Sequence, residues 1–309
     1  MHEGSRKAIF AAFLANLGIA IAKFAAFAVT GAASLLAEAI HSVADTGNQG
    51  LLFLGGHRAR KPATRLHPFG FGRERYFWAF VVALVLFSLG SVFALVEGID
   101  KLIHPHALED PIVAFAVLGV ALVLEGFSFR TAIREASKVR HQHSWWRFIR
   151  SAKSPELPVV LLEDFGALIG LLLALAGISL NQITGEPAFD ALGSIAIGLL
   201  LGVIAVVLAI EMKSLLMGEA AAPEQEQAIV DTIESDPGVE RLIHLRTQHL
   251  GPEELLVAAK IELGAQSMSR IGPTIDALER RIRGAVPNAQ VIYIEPDEYR
   301  PGKTDDDPE

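Results

Sequence analysis

An α-helical membrane protein with six transmembrane helices and a small C-terminal α+β domain is the fold class this sequence predicts, and three observations predict it. Hydrophobic residues make up 51% of the 309 and the mean hydropathy is +0.38, high for a chain that folds in water. Apolar stretches long enough to cross a hydrocarbon core, about 20 helical residues, occur at 8–30, 33–56, 77–98, 111–129, 157–180 and 187–210. After Glu211 the pattern changes to that of a water-soluble domain.

The N-terminus, MHEGSRKAIF, runs into a full-length span without a small-residue cleavage site, so it reads as a retained first helix and not a cleaved signal. Lys and Arg fix the orientation. Arg58, Arg60, Lys61, Arg65, Arg73 and Arg75 lie between spans two and three, and Arg130, Arg134, Lys138, Arg140, Arg147, Arg150 and Lys153 between spans four and five. The alternate connections hold only Lys101. The basic side stays inside, which puts both termini in the cytoplasm. Trp145 and Trp146, beside basic residues, read as an interfacial belt.

The first division of the chain is therefore 1–211, in the bilayer, and the second 212–300, in the cytoplasm; the acidic end at 301–309, including DDDPE, reads as a disordered tail. Within the second, PEQEQAIVDTIE starts with Pro and acids, as helices do. VERLIHLRTQHL and ELLVAAKIEL alternate as strands about the turn GPEE, helical spacing returns over 271–284, and AQVIYIEP closes the domain as a strand. That order, αββαβ over roughly 80 residues, is similar to a ferredoxin-like fold lacking its first strand, and so small a core favours dimerisation.

The formal charge of −8 and the acidic second domain argue against nucleic acid as a partner. With no Cys, disulfide frameworks and thiolate metal sites are excluded. Nothing in the sequence calls for a prosthetic group.

Glu38, His41, Asp45 and Asn48 stand in the second span at spacings of three, four and three, which places them on one helix face. An ionisable group at mid-membrane costs from about 3 to more than about 10 kcal/mol, so such a stripe faces protein, water or an ion. Structural hydrogen bonding is the plainer reading and ion binding the sharper one. His and Asp four residues apart can reach one divalent cation from a single helix. The fifth span adds Glu163 and Asp164, again inside an apolar helix and with no Lys or Arg nearby in sequence.

SLLAEAIHSVADTGNQ in span two, HPFGFGRERYFWAF leading into span three, LLEDFGALIGLLLA in span five and LRTQHLGPEE in the second domain together resemble the cation diffusion facilitator family, in the branch that includes the animal mitochondrial zinc transporter. The resemblance implies a secondary transporter and no enzyme. It would be a homodimer in the lipid bilayer that exports a divalent transition metal, zinc foremost, from the cytoplasm in exchange for protons. A bacterial-type inner membrane fits this reading.

The resemblance also implies a transport site with a His or Asp four residues before an Asp in each of spans two and five. His41 and Asp45 match the first half and Asp164 the second, but Val160 stands where the fourth donor belongs. Glu163 either supplies that donor, although adjacent helix residues point about 100° apart, or carries a proton or bonds another helix. The metal ligands expected are thus His41, Asp45, Asp164 and Glu163, with Glu38 and Asn48 behind them or lining the path. A carboxylate in place of an imidazole hardens the site, which makes Mn²⁺, Fe²⁺ or Co²⁺ the alternative cargo; a scaffold protein with a vestigial site is the other rival.

Further family sites are depleted. TRLHPFGFG keeps His67 but has Thr64 and Phe71 beside it, so His67 is expected to orient its loop. The second domain has Ile243, Tyr293 and Glu295 at family metal positions, leaving only His244 and His249. A dimer interlock between Arg73 and the end of span six meets Met217, with Glu219 further on. Lys23 is expected to snorkel to the outer interface, Asn16 and Glu125 to line the path or bond between helices, and His104, His106, His141 and His143 to be solvated.

Overall fold

The computed structural model describes residues 3–105, 110–140, 144–264 and 268–300, so His106, His141, His143 and the acidic tail fall outside the described residues. Two compact units form: one runs to Arg58 and resumes over Arg75–Lys213, and the other combines Ala59–Glu74 with the chain from Ser214 onward.

In the first unit α1 (Glu3–Thr30) and α2 (Ala33–Arg58) make a hairpin. It turns at Gly31, whose φ of 62° suits a residue without Cβ. Next, α3 (Glu74–Val81), a π-helical segment (Val82–Phe87) and α4 (Ser88–Ile103) run end to end as one rod. Then come α5 (Pro111–Val139), a short α6 (Trp145–Ser151), α7 (Glu156–Thr184) and α8 (Ala188–Met217). Pro111 sits at the start of α5, where its missing N–H leaves nothing unpaired. The Ser144 hydroxyl accepts the Arg147 N–H at 3.3 Å and caps α6.

Four of these rods, Glu74–Ile103, Pro111–Val139, Glu156–Thr184 and Ala188–Met217, are long and apolar enough to cross a membrane, and Asn16–Thr30 is a shorter apolar helix. Although α2 has 26 residues, its polar residues dilute the apolar ones and it does not join them. Helix α5 continues ten residues beyond the apolar stretch that ends at Phe129, because Arg130, Arg134 and Lys138 sustain a helix outside hydrocarbon as well as within it. Trp145 and Trp146 are partly exposed, and the Arg140 guanidinium lies 4.2 Å over the Trp145 ring.

Small residues set the helix spacing. A Cβ on Gly98 of α4 would lie 2.8 Å from the Ala191 carbonyl of α8, and one on Gly198 would lie 3.0 Å from that of Ser91. Such close backbones are how helices pack where apolar burial gives no drive. Hydroxyls reinforce the seam, Ser91 donating to Gly198 O at 2.7 Å and Ser194 to Ala94 O at 2.8 Å. Apolar side chains such as Phe93, Val120 and Val203 are left facing outward.

At one end of the unit a buried polar knot ties three elements. Asp190 of α8 accepts the N–H of Ala33 at 2.8 Å and the Ser34 hydroxyl, and Lys101 of α4 donates to Asp190 at 2.8 Å and to Gly31 O at 2.7 Å. Asp190, Lys101 and Ser34 are fully buried.

The second unit runs α9 (Pro223–Glu234), β1 (Val239–Gly251), β2 (Glu254–Leu263), α10 (Met268–Ala285) and β3 (Ala289–Pro296). The sheet order is β1-β2-β3. β1 and β2 are antiparallel, with Leu245 opposite Ala259, and β2 and β3 are parallel, with Val257 opposite Ile292; α10 makes the crossover that a parallel pair requires. Alternate residues of β2, Leu255, Val257, Ala259 and Ile261, point into a core completed by Ile229 and Ile233 of α9 and Leu278 and Ile282 of α10. The segment Ala59–Glu74 docks on this unit by backbone: a Cβ on Gly72 would lie 2.8 Å from the Leu250 carbonyl, and one on Gly251 would lie 2.9 Å from the Gly72 Cα.

Candidate metal centre

Helix α2 buries the whole stripe: Glu38, His41, Asp45 and Asn48 are all at most 5% exposed, while Val43 on the other side is 48% exposed. The His41 Nδ1 stands 3.6 Å from Asp45 Oδ1, beyond hydrogen-bonding distance. Among the described residues, both ring nitrogens of His41, Asp45 Oδ1 and Asn48 Oδ1 are buried without a hydrogen-bond partner. Buried polar atoms are ordinarily satisfied, so this cluster of orphaned donors and acceptors is the feature that needs explaining. The π-helical segment brings the Phe87 ring to 6.4 Å from the imidazole; the run VALVLF carries no sign of that distortion.

Helix α7 contributes Glu163 and Asp164, both buried. Their partners differ. Asn48 of α2 donates to Glu163, and Ser128 of α5 donates to Asp164 at 3.1 and 3.2 Å. Asp45 is within electrostatic reach of Asp164 and Glu125, and Glu163 within that of Asp45. Glu125, buried on α5 one turn before Ser128, is thus a further carboxylate beside the expected four groups. Val160 packs against the buried cluster of Ala132, Ile149 and Leu161, an apolar setting that accounts for an apolar residue there. Among the described residues no three His, Asp or Glu side chains are gathered tightly enough to hold an ion. The structure therefore brings His41 and Asp45 together, and ties Glu163 and Asp164 to hydrogen-bond donors.

The expectation for Lys23 is corrected. It does not snorkel: it is fully buried, and its ammonium donates to Glu38 Oε2 at 3.0 Å and to the Ser42 hydroxyl at 2.8 Å. Its position on α1 faces α2, where two acceptors satisfy the charge more fully than a long reach to the interface. Glu38 Oε1 rests against Gly170 of α7, where a Cβ would collide with it. The Lys101–Asp190 pair is also absent from the sequence reading. Its signal was available, since Lys101 is the lone cation of its side and Asp190 the lone acid of the apolar stretch 187–210.

The other candidates stay local. The His67 carbonyl accepts from Thr64 N and Gly70 N, both at 3.0 Å, and its ring meets Phe71 edge-on at 4.7 Å, so it orders its loop as expected. In the second unit His249 is buried with Nδ1 3.3 Å from Gly251 O, and Tyr293 is exposed. His104, exposed, lies 3.2 Å from Asp100. Met217 is exposed, and the backbone carbonyl of Glu219 accepts the His249 N–H at 2.8 Å.

A helical bundle with an ionisable stripe buried in it, joined to a small αββαβ unit, defines a multi-pass membrane protein for ions. Residues 9–217 match the cation efflux transmembrane domain and residues 221–299 the cation efflux protein cytoplasmic domain, and the chain belongs to the cation efflux family, whose members are transporters and not enzymes. It is similar to the proton-coupled zinc antiporter SLC30A9, mitochondrial, of Mus musculus, 32% identical over 87% of this chain and 48% of that protein. It is also similar to metal tolerance protein C4 of Arabidopsis thaliana, 30% identical over 85% of this chain and 58% of that one. The cation-efflux pump FieF of Escherichia coli is 27% identical over 93% of this chain and 91% of its own length. The chain spans about half the length of the first two relatives.

Proposed function

We propose that this chain exports a divalent transition metal, zinc foremost, in exchange for protons. The observation that carries the reading is the His41–Asp45 pair, whose buried nitrogens and carboxylate oxygen lack hydrogen-bond partners in a chain of the cation efflux family. Metal binds only the deprotonated forms of such groups, so at one site protons and metal exclude each other. Metal arriving from the cytoplasm takes His41, Asp45 and Asp164, and Glu163 joins them while Asn48 orients it. Rocking of the helices then opens the site to the far side, where protons displace the ion.

In this reading α1 and α2 are spans as well, making six, with both termini in the cytoplasm. The transport domain is 1–211, and the ferredoxin-like domain at 212–300 joins two copies into a homodimer. Zinc is favoured by the names of the mammalian relatives; the richness in carboxylates favours Mn²⁺, Fe²⁺ or Co²⁺ as the second cargo class. The test is zinc and manganese uptake into proteoliposomes under an imposed pH gradient. Wild type is expected to move metal and Asp45→Ala to move none; an inactive wild type beside an active known carrier would leave a scaffold with a vestigial site.

A further inference from the structure

Glu38, Asp45, Glu125, Glu163 and Asp164 are buried in the first unit, and one of them differs from the rest. Lys23 and Glu38 are both 0% exposed and in contact at 3.0 Å, α1 to α2. The ammonium has a second acceptor in Ser42, and the Glu38 carboxylate is wedged against the backbone of α7 at Gly170. Asn48 gives Glu163 a neutral donor and Ser128 gives one to Asp164. The other buried lysine, Lys101, is held by Asp190.

We propose that Lys23 is a positioning residue that withdraws Glu38 from the exchange: a tethered counter-cation holds this carboxylate, so that it neither binds the metal nor carries a proton. The inference rests on the exchanger reading above and deepens it by fixing which carboxylates enter the proton count. A carboxylate buried without a partner is unfavourable as an anion and takes up a proton. Glu38 has the Lys23 ammonium in contact at 3.0 Å, whereas among the described residues Asp45, Glu125, Glu163 and Asp164 have no Lys or Arg in contact. The groups facing the pair are Ser42, His41 and Asp45 of α2, Glu125 of α5 and Gly170 of α7, and the Lys23 charge reaches His41, Asp45 and Glu125 as well as Glu38.

The consequence is a stoichiometry that substitution changes by a whole proton. In Lys23→Met, Glu38 loses its cation and holds a proton in the metal-free state. When the divalent ion arrives nearby, that O–H bond breaks, the carboxylate stays behind and the proton goes to the buffer. In Glu38→Gln the buried Lys23 ammonium has lost its anion and by the same rule gives up its proton before the ion arrives, so the count stays that of wild type. In the double variant neither position titrates and the count is again that of wild type.

The experiment is calorimetric titration of zinc into the full-length protein in detergent, in two buffers of different ionisation enthalpy, which counts the protons released per ion bound. About one additional proton is expected in Lys23→Met relative to wild type, and none in Glu38→Gln or in Lys23→Met/Glu38→Gln. Should Lys23→Met fail to give a monodisperse protein, Lys23→Gln, which also removes the charge, carries the same test. Equal counts in all the proteins would overturn this inference alone, as would loss of zinc binding in Glu38→Gln, which would make Glu38 a ligand. A wild type that binds no zinc would overturn the exchanger reading and this one with it.

Discussion

The carboxylate of Asp190 accepts the backbone N–H of Ala33 at 2.8 Å, so the first turn of α2 is capped by a side chain from α8, 157 positions later in the chain. Helix starts leave N–H groups that need such acceptors, and an anion there also suits the helix dipole. The helix that carries His41 and Asp45 is anchored at its start by this one residue and by the Lys101 ammonium that holds it.

Breaking that anchor is expected to be costly. Lys101→Met leaves Asp190 buried with no cation, a change that removes about 3–5 kcal/mol in comparable sites. The double variant Lys101→Met/Asp190→Asn is expected to lose less than the sum of the two singles, because the partners are coupled. Thermal unfolding of the purified protein measures both.

Gly170→Ala drives a methyl group into the Glu38 carboxylate. Overpacking of this kind costs about 1–3 kcal/mol, and the displaced Glu38 strains its bond with Lys23. Gly166→Ala meets only the Cδ1 end of Ile204, which can turn aside, and is expected to be the milder change. Unfolding midpoints of the two proteins side by side decide the order.

Asn48→Ala removes the donor to Glu163 without touching an expected ligand. Partners of this kind typically contribute about 10- to 100-fold in metal affinity, so zinc affinity is expected to fall by that order while Asp45→Ala abolishes binding. An affinity unchanged in Asn48→Ala would mean that Glu163 needs no orientation by α2. Uptake in Glu163→Ala then separates its roles: loss makes it a ligand or proton carrier, and retention leaves it a bonding residue.

In the second unit the Asp297 carboxyl is held below the usual aspartate range, first by the Glu298 backbone N–H and then by Lys260, whose ammonium is 3.2 Å away. A lowered carboxyl contributes stability that is present above its unfolded value and is lost as pH falls through the folded one. The Glu298 amide is therefore expected to stay protected from hydrogen exchange in mild acid and to lose protection only below the ordinary aspartate range. Exchange rates across that window, corrected for intrinsic chemistry, check it. Salt is expected to weaken the Lys260 part, because the pair is exposed.

How much of this was legible in the sequence varies with the physical signal. Helix α9, the turn before β2 and strand β3 were readable because period, proline and turn chemistry agree locally. The ends of α5 were not: hydropathy marks the stretch suited to hydrocarbon, whereas the helix continues as long as its backbone bonds do. His41 and Asp45 were legible as neighbours by spacing alone. Lys23 was misread, because burial of a lysine depends on an acid from another helix, and no local pattern announces which helix will supply it. Glu163 and Asp164 could be named from sequence, but that Asn48 and Ser128 occupy them is a property of packing.

The contact of Gly72 with Gly251 has an implication for biosynthesis. The ribosome releases the segment Ala59–Glu74 long before it makes β1, so this linker has nothing to dock on until synthesis has passed Gly251. Its docking then reports that the downstream unit has folded, and a chain halted after α8 would carry a basic loop open to chaperones and proteases.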